Sequence, residues 1–120
     1  MAVTVTNQSN PLGSKVVQDT AATNSAVDNA TGASGTLYAI EVTNPNGSAV
    51  YFKLADATSA TVGTTAADMV FVCPANVTKN IVFLGGIAFS NGFSHWCVTG
   101  AGESNTSAPG SSVTALYVTS

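Results

Sequence analysis

From Leu37 to Val118 the apolar residues recur at every second position in short runs, and each run is closed by residues that interrupt strands. Tyr38, Ile40 and Val42 alternate with Leu37, Ala39 and Glu41; Val50, Phe52 and Leu54 alternate with Ala49, Tyr51 and Lys53. Successive side chains of a strand point to opposite faces, so this period writes strands with one face turned inward. Further runs of this kind lie at Met69–Cys73, Thr78–Leu84, Phe93–Thr99 and Val113–Val118. Gly63, Pro74-Ala75-Asn76, Gly85-Gly86, Asn91-Gly92, Gly100-Ala101-Gly102 and Pro109-Gly110 separate them. Asn44-Pro45-Asn46-Gly47 reads as a hairpin loop, because proline presets φ and Asn-Gly accepts positive φ. No stretch carries a 3.6-residue apolar stripe, and Thr64–Met69 offers at most one short turn. Short strands with regular punctuation predict an all-β chain: a single antiparallel β-sandwich (jelly-roll or Ig-like) or a small barrel. No internal repeat stands out from the Thr/Ala/Gly bias, which argues against a solenoid.

The first part of the chain has a different character. All eight Phe and Tyr residues and the single Trp lie from Tyr38 onward. In residues 1–36 the large aliphatics are Val3, Val5, Leu12, Val16, Val17 and Val27, among Ser, Thr, Asn, Ala and Gly. Such a segment buries too little apolar surface to offset its own ordering entropy. The expected division is therefore an extended N-terminal arm, residues 1–36, ordered where Val3–Val5 and Lys15–Val17 find a partner, and a β-sandwich over residues 37–120.

Charge narrows the function. The chain has three lysines, no arginine and six acids, and a formal net charge of −3. That is 8% charged residues, where a globular sequence carries about a quarter. Nucleic-acid backbones are held by clustered Lys and Arg, so no nucleic-acid partner is expected. Arginine forks for phosphate or carboxylate ligands are missing as well. A neutral, Thr-rich surface suits contacts with other neutral proteins, since interface centres are depleted in charge. Met1 to Lys15 shows no basic region followed by an apolar run, and no stretch is long and apolar enough to span a membrane. Synthesis and assembly in a cytoplasm, with no membrane partner, are the expectation. There Cys73 and Cys97 are expected to be reduced, small buried hydrophobes.

Residues able to do chemistry are few and dispersed. His95 is the single histidine; on a strand it shares a face with Phe93 and Cys97, while Ser94, Trp96 and Val98 face the other way. A Cys–His nucleophilic pair needs a third group to orient the ring, and none is evident nearby. Zinc needs more ligands than one His and two Cys, and Cys73 lies 22 residues before His95 with no CxxC. Asp56 and Asp68 flank a Thr/Ala/Gly segment, and Glu103 lies in a Gly-rich loop; loop acids of this kind cap turns. Gly100-Ala101-Gly102 lacks the Gly-Lys-Ser/Thr and helix of a phosphate loop and reads as a hairpin tip. The expectation is no catalytic residue, no cofactor and no metal: not an enzyme. Tyr51, Trp96 and Tyr117 are the aromatics that could stand in the open for a glycan, with Phe52, Phe71, Phe83, Phe89 and Phe93 assigned to the core.

Five pieces of the sequence carry a resemblance: Tyr51-Phe52-Lys53-Leu54, Gly63-Thr64-Thr65-Ala66-Ala67-Asp68-Met69-Val70-Phe71-Val72, Pro74-Ala75, Phe83-Leu84-Gly85-Gly86-Ile87-Ala88-Phe89-Ser90-Asn91-Gly92 and Cys97-Val98-Thr99. Over residues 37–120 this pattern resembles small virion-associated structural proteins of tailed, often marine, bacteriophages, with Ala67 standing where a proline is often found. The resemblance implies a β-sandwich and a virion location, and it transfers no functional residue. The role expected is capsid decoration, or cement: a homo-oligomer bound to the major capsid protein and other virion proteins. A tail, knob or fibre component, or a virion-displayed carbohydrate-binding module meeting a host-surface glycan, is the alternative.

Overall fold

The computed structural model describes residues 13–120. Seven strands follow in chain order: β1 (Lys15–Ala22), β2 (Gly35–Thr43), β3 (Val50–Asp56), β4 (Met69–Cys73), β5 (Thr78–Phe89), β6 (Phe93–Val98) and β7 (Val113–Thr119). They form two antiparallel sheets, β1-β7-β2-β5 and β4-β3-β6. The all-β sandwich expected from the two-residue period is the fold.

The core lies between the sheets. Leu37, Ile40, Val42, Val113, Ala115 and Tyr117 project from the four-stranded sheet against Val50, Phe52, Leu54, Phe93 and Cys97 of the other. Full burial of a side chain such as Leu or Phe contributes about 1.5–3 kcal/mol, so these alternating positions are what select the register. Phe89 stacks on Phe93 with centroids 4.1 Å apart, and Phe93 meets Tyr117 edge-on at 6.3 Å.

Residues 23–30 extend the second sheet along β6. Val27 exchanges both backbone hydrogen bonds with His95 (2.9 and 3.1 Å), Ala30 N donates to Phe93 O at 2.7 Å, and Cys97 N donates to Thr23 O at 2.8 Å. With this irregular strand counted second, the sheets read 1-8-3-6 and 2-7-4-5. That is the strand order of a jelly roll, two interlocked Greek keys. It selects one of the sandwich topologies that the sequence left open.

The boundary expected at residue 36 moves. Lys15 to Asp19 pair with β7 in continuous register, and Asn29 N donates to Ser94 Oγ at 3.1 Å. Lys15 Nζ also donates to Thr31 O. Residues 13–36 are thus part of the body, held chiefly by backbone and side-chain hydrogen bonds to β6 and β7, with Ala22 in the core and Val17 and Ala30 packed against it. Of the arm as expected, residues 1–12, with Val3–Val5, lie outside the described residues.

Two further expectations change. Asn44-Pro45-Asn46-Gly47 is not a hairpin, because β2 and β3 belong to different sheets. It is an arch held by the buried Asn44 side chain, whose Nδ2 donates to Ser48 O (2.9 Å), Cys73 O (3.2 Å) and Pro74 O (3.0 Å). Gly85-Gly86 does not end a strand either; β5 runs on to Phe89 through a bulge. From Ala39↔Val82 to Leu37↔Ile87 the strand takes three more residues than its partner, and both glycines have positive φ (77° and 78°). A Cβ on Gly86 would stand 2.3 Å from Thr36 Cγ2, so only glycine fits where this bulge meets β2.

A chain lacking residues 1–36 is expected to show no cooperative thermal transition by circular dichroism. It loses β1, the outer neighbour of β7, and the strand that covers β6. A stable body beginning at residue 37 would contradict this assignment.

Candidate functional site

His95 is buried, 1% exposed, on the inner face of β6. Its Nε2 lies 2.8 Å from Asp19 Oδ2 on β1, and its Nδ1 lies 2.9 Å from Tyr117 Oη on β7. A carboxylate only accepts, so Nε2 carries a hydrogen, and in the tautomer with Nδ1 bare that nitrogen accepts from the tyrosine hydroxyl. Phe52 closes on the imidazole at 5.3 Å and Tyr117 crosses it edge-on at 5.6 Å. The missing orienting group is therefore present, 76 residues before His95, and a second partner lies 22 residues after it. Sequence neighbourhood offered no sign of either.

This chain of three has the orienting half of a catalytic triad without the reacting half. In a triad the base keeps one ring nitrogen for the nucleophile. Here that nitrogen is taken by Tyr117, whose phenol is pushed well above the ordinary tyrosine value by burial and by the nearby Asp19 charge. Cys97 is buried on the same face of β6, and burial, with a contribution from Cys73, pushes its thiol up to about 12. Such a thiol stays protonated at neutral pH and is a poor nucleophile. Cys73 is raised too, chiefly by burial, and its Sγ donates to Val42 O at 3.4 Å. Both cysteines are free thiols inside the core.

Asp56 and Asp68 are engaged with backbone. Asp56, at the end of β3, receives N–H donors from Ser90 (2.9 Å), Asn91 (2.8 Å) and Gly92 (3.4 Å) in the turn between β5 and β6. Burial raises the Asp56 pKa, but these three donors outweigh it and hold the carboxyl below the ordinary aspartate value. Asp68 Oδ2 in turn accepts the backbone N–H of Asp56 at 2.6 Å. Among the described residues no three His, Cys, Asp or Glu side chains gather as metal ligands.

The two outer faces differ. On the three-stranded sheet, Ala55, Trp96 and Val98 are covered by Ala26, Ala57, Ala60, Val62 and Ala67 from the loops. Trp96 is therefore buried, as is Tyr117 on the inner side, so neither stands as an open glycan platform; Tyr51 is half-buried. Lys53 is buried beneath the same loops, and its Nζ donates to Gly102 O at 2.8 Å. Burial lowers the Lys53 pKa, with Glu103 acting in the opposite direction. Buried lysine has no strong sequence signature, since Lys53 sits at an alternate position that reads as solvated.

On the four-stranded sheet the registers align Val16, Val118, Ala39 and Val82 in one row across all four strands. Val16 and Val82 are each 61% exposed, and Leu84 on the neighbouring bulge is 98% exposed. Leu116 and Tyr38 flank the row, and Glu41 is the charged side chain at the outward positions of this sheet. No family model, curated protein or solved structure matches this chain.

Two measurements follow. Tyr117→Phe leaves Nδ1 of His95 buried without a partner and is expected to cost about 1–3 kcal/mol in urea unfolding; an unchanged midpoint would remove the hydrogen bond from the account of stability. Because the folded Asp56 pKa lies below the unfolded value of about 3.9, its stabilisation is complete above that pH. It is lost as the pH falls through the folded value. The stability gap between the wild type and Asp56→Ala should hold constant above about pH 5 and shrink as acid is added.

Proposed function

We propose that this chain is a non-enzymatic structural protein of a bacteriophage virion, acting as a capsid decoration protein. The observation that carries the reading is the outward face of the four-stranded sheet. It presents a continuous aliphatic row and one carboxylate, and among the described residues no loop cluster lies over it like the one on the opposite sheet. Apolar surface of this kind, poor in charge, is the composition of protein–protein contact centres. The jelly-roll order supports the reading at the level of fold only, since viral capsid and lectin domains share it and folds carry many functions. The resemblance of residues 37–120 to virion-associated proteins points the same way. The major capsid protein is the partner, and copies placed side by side add bonds across the shell that are individually modest and collectively strong.

Quantitative mass spectrometry of purified particles tests this. The expected result is a copy number of the same order as the major capsid protein, in the shell fraction. A Val16→Asp/Val82→Asp double variant should keep its melting temperature, both sites being exposed, and lose at least about tenfold in particle occupancy, the effect of one unfavourable 1.4 kcal/mol contact. A few copies confined to the tail, or full occupancy by the double variant, would overturn the decoration role.

A further inference from the structure

Lys53 poses a problem that the fold alone does not solve. Its side chain is 2% exposed, and it carries an ammonium with three donors, of which the hydrogen bond to Gly102 O uses one. A buried charge is costly unless it is paired, and Glu103 is the carboxylate whose charge acts on it. It lines a cleft of about 210 Å³ over the three-stranded sheet, together with Thr65, Val70, Trp96 and Glu103. Ala67 and Ala101 complete the walls.

The chemistry of this lining is balanced. Lys53 supplies donors and Glu103 supplies acceptors, so the two cancel in net charge. An anion meets Glu103 and a cation meets Lys53, while a neutral group that both donates and accepts satisfies the pair. Thr65 Oγ1 accepts Thr61 N at 2.8 Å and keeps its own hydrogen to donate. Val70, 45% exposed, and the alanines give apolar walls for C–H surface. The volume lies below the roughly 300 Å³ at which drug-sized pockets begin, which limits the occupant to a single small ring.

We propose that this cleft binds a neutral polyhydroxylated group, one sugar unit in size, with Lys53 donating to its hydroxyls and Glu103 accepting from them. The site is formed by β3, β4, β6 and two loops of one chain and does not depend on the assembly role. It also differs from an open aromatic platform: Trp96 forms part of the wall, and recognition rests on the paired charges.

The test uses the full chain, labelled with ¹⁵N, titrated with the methyl glycosides of glucose, galactose, mannose and N-acetylglucosamine, and with acetate and methylammonium as charged controls. The expected result is saturable shifts for at least one neutral glycoside, centred on the amides of Lys53, Thr65, Val70, Trp96 and Glu103. Lys53→Met keeps the aliphatic stem, and Glu103→Gln changes an exposed loop residue. Each should weaken binding at least about tenfold, the loss of one hydrogen bond to a charged group. Four outcomes overturn the proposal: no saturable shift with any glycoside, shifts centred elsewhere, a tighter response to acetate or methylammonium, or unchanged affinity in Glu103→Gln. If Lys53→Met fails to fold, Glu103→Gln alone decides.

Discussion

The hydrogen-bonded chain from Asp19 through His95 to Tyr117 joins the two sheets at a point where neither could be moved by one residue. Asp19 and Tyr117 belong to the four-stranded sheet and His95 to the other. A slip of one position in β1, β6 or β7 would turn one of the three side chains to the opposite face and leave its partners buried and unpaired. Apolar packing alone tolerates volume-conserving rearrangement; a satisfied polar network does not. The same slip would also displace Val27, which shares backbone bonds with His95. The pin therefore fixes the register of the strands on that side and the course of residues 23–30.

The two long sides of the sandwich are consequently unlike. On the pinned side the chain passes from β1 directly into the strand beside β6, so both sheets are closed by one continuous segment. On the other side β4 and β5 are both edges. They are bridged by side chains: Phe71 meets Phe83 edge-on at 6.1 Å, and Lys79 Nζ donates across to Val72 O at 3.1 Å. Exposed edges invite pairing with other chains, and bulges and lysines are the usual protections. β5 carries both, Lys79 near its start and the Leu84-Gly85-Gly86 bulge further along. This disfavours strand addition and leaves the flat outward face as the broader surface for contact.

How much of this the sequence discloses depends on where each residue finds its partner. β2, β3, β6 and β7 are legible because their inward positions are large and apolar, and their period is their own. β1 is hidden: Lys15-Val16-Val17-Gln18-Asp19-Thr20-Ala21-Ala22 alternates only weakly, and its stability comes from β7, nearly a hundred residues away in the chain. The ordering cost of residues 23–34 is likewise met by bonds supplied by β6, which a local count of apolar surface cannot register. Gly85-Gly86 reads as a break because glycines end strands and also make bulges, and only the pairing partner distinguishes the two. His95 was legible as a residue on the face of Phe93 and Cys97. Its partners were not, since coupling over 76 and 22 positions leaves no spacing motif.

The scarcity of charge has a physical reading once each charged group is located. Of the three lysines and six acids, seven are engaged with the chain itself. Lys15, Lys53 and Lys79 bond carbonyls, Asp28, Asp56 and Asp68 accept backbone N–H groups, and Asp19 holds His95. Glu41 and Glu103 are left facing outward. A surface so nearly without field cannot steer a charged partner from a distance, and encounter must proceed at the unsteered rate. Recognition then rests on shape, apolar contact and neutral hydrogen bonds, interactions that salt scarcely screens. For the decoration role proposed above this has a direct consequence. Neighbouring copies would carry little mutual repulsion, so each added copy would meet almost the same binding free energy as the first, whatever the ionic strength.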